Sequence, residues 1–74
     1  MKMVKGTELK KGDKLIQRHN GEMIEVEITQ IGTLPNGSIR IVVAHPALSS
    51  VGAQGSKAIF IPADKINLEF PVKE

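Results

Sequence analysis

The chain has 74 residues, a formal net charge of +2, 41% hydrophobic residues and no cysteine. That is the size of one domain near the lower limit of a self-sufficient core, with about 60% of its unfolded surface buried on folding. The composition excludes disulfide staples and thiolate metal sites, so stability must come from aliphatic packing. Only Phe60 and Phe70 are aromatic, with no Trp and no Tyr. Stacking on single-stranded nucleic acid and aromatic-rich interface hot spots are both poorly served by such a set. No apolar run approaches the ~18 residues of a membrane span, and Met1-Lys2-Met3-Val4 lacks the apolar core of a signal peptide. The expectation is a complete cytoplasmic product with no membrane partner.

Turn signals punctuate the chain at Gly12-Asp13, Asn20-Gly21 and Asn36-Gly37. Asn-Gly is the strongest short-range hairpin signal, because both residues tolerate positive φ. Before the first turn, residues 7–11 suit a short helical turn leading into Gly12. Residues 14–19, with Leu15 and Ile16, read as the first strand. Residues 22–28 alternate with period two: Ile24, Val26 and Ile28 fall on one face and Met23, Glu25 and Glu27 on the other, the pattern of a half-buried antiparallel strand. Residues 38–44 place Ile39, Ile41 and Val43 on one face and Arg40, Val42 and Ala44 on the other. Residues 44–56 form a long loop rich in Gly and Ser, of a length associated with function or mobility. Residues 57–62 carry the apolar run Ile59-Phe60-Ile61. Pro62-Ala63-Asp64-Lys65 suits one turn of 3₁₀ helix, and Ile66, Leu68 and Phe70 alternate as a last strand. The expected inward set is Leu15, Ile24, Val26, Ile28, Ile39, Ile41, Val43, Ile59, Ile61, Ile66 and Leu68.

Five short strands, two tight hairpins and one turn before the last strand resemble the SH3-like small barrels. Glu8-Leu9-Lys10-Lys11-Gly12-Asp13-Lys14-Leu15-Ile16 is similar to the segment that leads into their first strand. Ile61-Pro62-Ala63-Asp64-Lys65-Ile66 is similar to their strand, 3₁₀ turn, strand ending. The resemblance implies an all-β fold over residues 1–74: a small, five-stranded, partly open antiparallel barrel. An OB-like barrel is the alternative. The resemblance is one of architecture and brings no functional family with it. The aromatic groove with which some such barrels hold proline-rich peptides is missing from this sequence, so that function does not carry over.

Candidate chemistry is sparse. Gly52-Ala53-Gln54-Gly55 has the Gly-x-x-Gly of a KH loop, and Gly55-Ser56-Lys57 has a fragment of a phosphate loop. The flanking elements and the residue order are wrong for both. His19 and His45 have no third ligand beside them in sequence. Ser49 and Ser50 near His45 lack the Gly-x-Ser-x-Gly elbow of a hydrolase. Glu22, Glu25 and Glu27 suit a solvated outer face that discourages aggregation more than a Ca²⁺ site. No catalytic residue, cofactor or metal is expected.

The charge distribution is more informative than its sum. The first eighteen residues hold six cations against two acids, and the remainder holds four cations against six acids. Lys5, Lys10, Lys11, Lys14 and Arg18 are the candidate partner-binding cations, a patch for phosphates or an acidic protein if they share an edge. A solvated lysine-rich edge explains the same residues. Leu48 and Val51, two aliphatics in a polar loop, either fold back onto the barrel or meet a partner. The functional expectation is a non-catalytic binding module, a small accessory or inhibitor that docks on a protein or nucleoprotein partner. A nucleic-acid-binding barrel acting through the basic N-terminal segment is the alternative, and self-association is compatible with either.

Overall fold

The computed structural model describes residues 1–48 and 55–74. Alternating apolar residues and tight turns build an all-β antiparallel sheet of six strands. These are β1 (Lys2–Lys5), β2 (Lys14–His19), β3 (Glu22–Thr33), β4 (Ile39–Ala44), β5 (Ser56–Ile61) and β6 (Glu69–Val72), in the spatial order β1-β6-β2-β3-β4-β5. Three 3₁₀ turns, Gly6–Glu8, Pro46–Leu48 and Ala63–Lys65, lie between strands, and no α-helix occurs among the described residues. No helix of the described residues is long and apolar enough to cross a membrane.

The expected hairpin turns form by two routes. Asn20 (φ 51°) and Gly21 (φ 83°) make a two-residue connection that sets His19 opposite Glu22, the primed turn that matches strand twist. At Pro35-Asn36-Gly37 only the glycine takes positive φ, at 90°. Gly37 N–H donates to the Leu34 carbonyl and Leu34 N–H to the Ser38 carbonyl. The Asn36 Oδ1 accepts from Ser38 N–H at 2.9 Å. This is a three-residue hairpin loop in which the side chain of Asn36 replaces its own backbone strain.

β3 is longer than the alternation of residues 22–28 predicts. Ile28 pairs with Val43 but Gln30 pairs with Val42, so Thr29 is an extra residue, a β-bulge. The Thr29 hydroxyl donates to the Val42 carbonyl at 3.2 Å across this irregularity. The bulge reverses parity. Val26 and Ile28 are buried before it, while Ile31, an odd-numbered residue, is the half-buried one after it. A strand whose period slips by one residue reads from sequence as a strand that ends. The bend lets one half of β3 join β2 and the other half join β4 and β5. Residues from both halves share one core, with Leu15, Val26 and Val72 in the same cluster as Ile41, Val43 and Ile61.

The expectation of a five-stranded, partly open barrel is corrected on two points. There are six strands, and the sheet is not closed, with β1 and β5 as its two edges. The added strand, Lys-Met-Val-Lys, is too short and too charged to announce itself by alternation. It pairs with β6 from Lys2↔Val72 to Lys5↔Glu69. Gly6 follows at once, where an added Cβ would lie 2.7 Å from the Ile66 carbonyl oxygen. Gly6 N–H instead donates to Leu68 and Thr7 N–H to Ile66.

The last strand also starts later than expected. Lys65 N–H bonds Pro62 and Leu68 N–H bonds Lys65, so residues 66–68 are turn, and β6 begins at Glu69. The alternation of Ile66 and Leu68 is therefore not that of a strand. Leu68 is 55% exposed and Ile66 only half-buried. Ile24 and Ile59 are likewise half-buried against the core rather than within it. Leu9, Leu48 and Val72 complete the core instead. Pro71 shortens the β2–β6 ladder. Lys73 N–H donates to Lys14, so the next bond on that side would come from residue 71, which has no N–H, and only Leu15↔Val72 pairs.

Candidate interaction surface

The cations singled out in the sequence are all exposed, as expected, but they do not form one patch. Lys5 ends β1 directly opposite Glu69. Lys14 opens β2 directly opposite Glu27, and Arg18 lies opposite Met23. Arg18 is four residues along β2 from Lys14, roughly 13 Å away at ordinary strand rise. Lys73 Nζ is 3.4 Å from Glu25 Oε1 on the same side of the sheet. Acids and bases thus alternate over the outer face of β2 and the first half of β3. Exposed pairs of this kind contribute little to stability and cancel one another's field.

Lys10 and Lys11 are the exception. They sit in a tight turn before β2, where Asp13 N–H donates to the Lys10 carbonyl and Gly12 takes φ 97°. Lys10 N–H donates back to Asp13 Oδ2 at 3.1 Å. The turn is clamped onto β3 by Gly12 N–H to the Ile28 carbonyl and Ile28 N–H to the Asp13 carbonyl. The two ammonium groups are carried on a fixed base and have no acid opposite them on a paired strand.

Of the two aliphatics in the long loop, Leu48 folds back. It follows the Pro46–Leu48 turn, its N–H donates to His45, and its side chain is 1% exposed inside the core. It is therefore not a free docking residue. Val51, with Ser49, Ser50 and the Gly52 end of the Gly-x-x-Gly, lies outside the described residues. The base of the loop is closed by His45 N–H donating to the Gly55 carbonyl at 2.9 Å.

Apolar exposure is found elsewhere. In β4 and β5 the register pairs Arg40 with Phe60, Val42 with Ala58 and Ala44 with Ser56 on the face opposite the core. The second half of β3 adds Gln30 beside Val42 and Gly32 beside Arg40. Phe60 is 58% exposed in the middle of an ordered strand. Arg40 is the one charged side chain among these eight residues. Sequence reasoning passed over this surface because Ile59-Phe60-Ile61 reads as a continuous apolar run. The inward assignment of Ile59 and Ile61 was the available signal, since it turns Phe60 outward.

Concave features are shallow. One depression of about 540 Å³ lies between Lys14, Glu25, Glu27 and His45. Another, of about 400 Å³, is lined by Leu9, Ile31, Ile39 and Ile66 with Gly6 and Gly37. No three His, Cys, Asp or Glu side chains converge to hold a metal among the described residues. His19 Nε2 lies 3.4 Å from Asn20 Nδ2 at the hairpin tip. Comparison with protein-family models, with curated proteins and with solved structures finds no match.

Proposed function

We propose that the chain is a non-catalytic binding module of the cytoplasm that docks on a protein partner through the outer face of β4 and β5. Phe60 is the anchor, Val42 and Ala58 form the floor and Arg40 is the charged margin. The observation that carries this reading is the 58% exposure of an aromatic side chain in a strand whose neighbours are small and nearly uncharged. A large apolar side chain held rigidly over small ones is the form that interface anchors take. The partner complementary to it presents an apolar surface with an acidic group placed to meet Arg40.

The SH3-like reading belongs here too. β2 to β5 form a meander, a 3₁₀ turn follows, and β6 returns to β2, which is the order those small barrels use. The strand β1 is then an addition at the edge. The notion of a nucleic-acid-binding barrel has a narrower basis, since only Lys10 and Lys11 lack acids across a strand pair.

The test is capture from lysate on immobilised protein, comparing wild type with Phe60→Ser and with Lys10→Glu/Lys11→Glu, read by quantitative mass spectrometry. The proposal requires a protein set that is retained by the double reversal and lost by Phe60→Ser. Nucleic acid or acidic proteins lost only in the double reversal would transfer the function to the basic turn.

A further inference from the structure

The β5 edge carries a second recognition feature that the outer face does not use. His45 N–H donates to the Gly55 carbonyl, and the register continues without a break from Ala44↔Ser56 to Ile39↔Ile61. In an antiparallel ladder the bonded pairs alternate. Lys57, Ile59 and Ile61 therefore spend their backbone groups on β4, while Ser56, Ala58 and Phe60 point theirs away from it. β5 is the last strand of the sheet, so these groups form an open edge.

The two edges of the sheet are not alike. β1 is four residues long with an exposed lysine at each end, the usual defence against a second strand. β5 has six residues, and Lys57 is its one charge. Pro62, directly after β5, has no N–H and ends any added ladder there.

We infer that β5 pairs antiparallel with β5 of a second copy of this chain, about a two-fold axis at Ile59. The arrangement extends the contact region of the proposed function but does not depend on an outside partner. In this register the outward backbone groups of Ala58 meet those of Phe60 in the other copy, and the reverse, which satisfies both pairs. Phe60 then stands opposite the small Ala58 on the outer face. Lys57 lies opposite Ile61, so the two copies' Lys57 side chains are about 13 Å apart along the strands and do not repel closely. A shift of one residue would set outward groups against inward ones and lose the ladder. The axis makes the interface isologous, with a closed dimer as the product.

The experiment is sedimentation velocity over a wide concentration range, with amide exchange followed on the same samples. A species of twice the monomer mass should grow with concentration. The Ala58 and Phe60 amides should gain at least tenfold protection as it does, while those of Ile59 and Ile61 stay protected throughout. Ala58→Pro removes one outward N–H without touching the β4 ladder and should abolish the dimer. Met3→Lys at the opposite edge should leave it intact. A wild-type protein that stays monomeric with fast-exchanging Ala58 and Phe60 amides would overturn the inference, while leaving Phe60-dependent capture of another protein unaffected. A dimer that survives in a folded Ala58→Pro variant, or whose exchange pattern does not change at Ala58 and Phe60, would overturn it as well.

Discussion

The two halves of the bent sheet bury the same kind of side chain and show the solvent different ones. Inward, Leu15 and Val26 in one half match Ile41 and Val43 in the other. Outward, β2 and the first half of β3 present Lys14 opposite Glu27 and Ile16 opposite Glu25, with Lys73 beside Glu25. β4 and β5 present Arg40 opposite Phe60 and Val42 opposite Ala58. The inward alternation is a requirement of folding in so small a chain. The outward residues are released from that requirement, and a half that leaves an aromatic exposed there has a reason other than stability. The charged half is the solubilising face, and the apolar half is the working one.

The bulge at Thr29 separates the two halves, so the severest way to break the comparison is to remove it. Deleting Thr29 restores a strict period of two through β3 and turns Ile31 outward, since a one-residue slip exchanges the faces of a strand. The variant should fail to give a cooperative unfolding transition in a thermal melt followed by circular dichroism. Next is Ile41→Ala. Ile41 is 1% exposed between β3 and β5, and loss of its side chain should cost about 2–5 kcal/mol in chemical denaturation. A domain of this size has little more than that to lose.

Gly6→Ala tests the packing of the added strand rather than either face. Its Cβ would approach the Ile66 carbonyl carbon and oxygen of the backbone, not a movable side chain. The expected loss is about 1–3 kcal/mol, within the range for backbone strain, and would be read as a lower denaturation midpoint.

Phe60→Ser sharpens the contrast from the other side. An exposed residue should change stability by less than about 1 kcal/mol, while capture of the partner is lost. Smallest of all is the effect of Lys10→Glu/Lys11→Glu on folding, expected within about 0.5 kcal/mol because the turn is held by backbone bonds and the ammonium groups are free in solvent.

Much of the fold was legible where local chemistry and tertiary need agree. Lys14–His19 and the Asn20-Gly21 turn are found where the alternation and the turn residues place them. The inward positions Val26, Ile28, Ile39, Ile41, Val43 and Ile61 follow from period two alone. The parts that were not legible depend on contacts distant in sequence. Thr29 is an ordinary strand residue, and nothing local marks it as the extra one. β1 exists because β6 offers it an edge. Leu9, Leu48 and Val72 are drawn inward by the closing of the core from turns and a terminal strand, where no periodicity applies. The candidate cations were correctly expected at the surface, but their grouping could not be read from the first eighteen residues, because Glu27 and Glu69 arrive opposite Lys14 and Lys5 only through strand pairing.

The central claim is that this protein binds through an apolar sheet face and not through its cations. The most direct measurement is the affinity of the captured partner for the wild-type protein over a series of salt concentrations. Apolar contact predicts an affinity nearly independent of salt, changing by less than about threefold between 50 and 500 mM. A fall of two orders of magnitude or more over that range, the behaviour of a protein held by several phosphate or carboxylate contacts, would contradict the account.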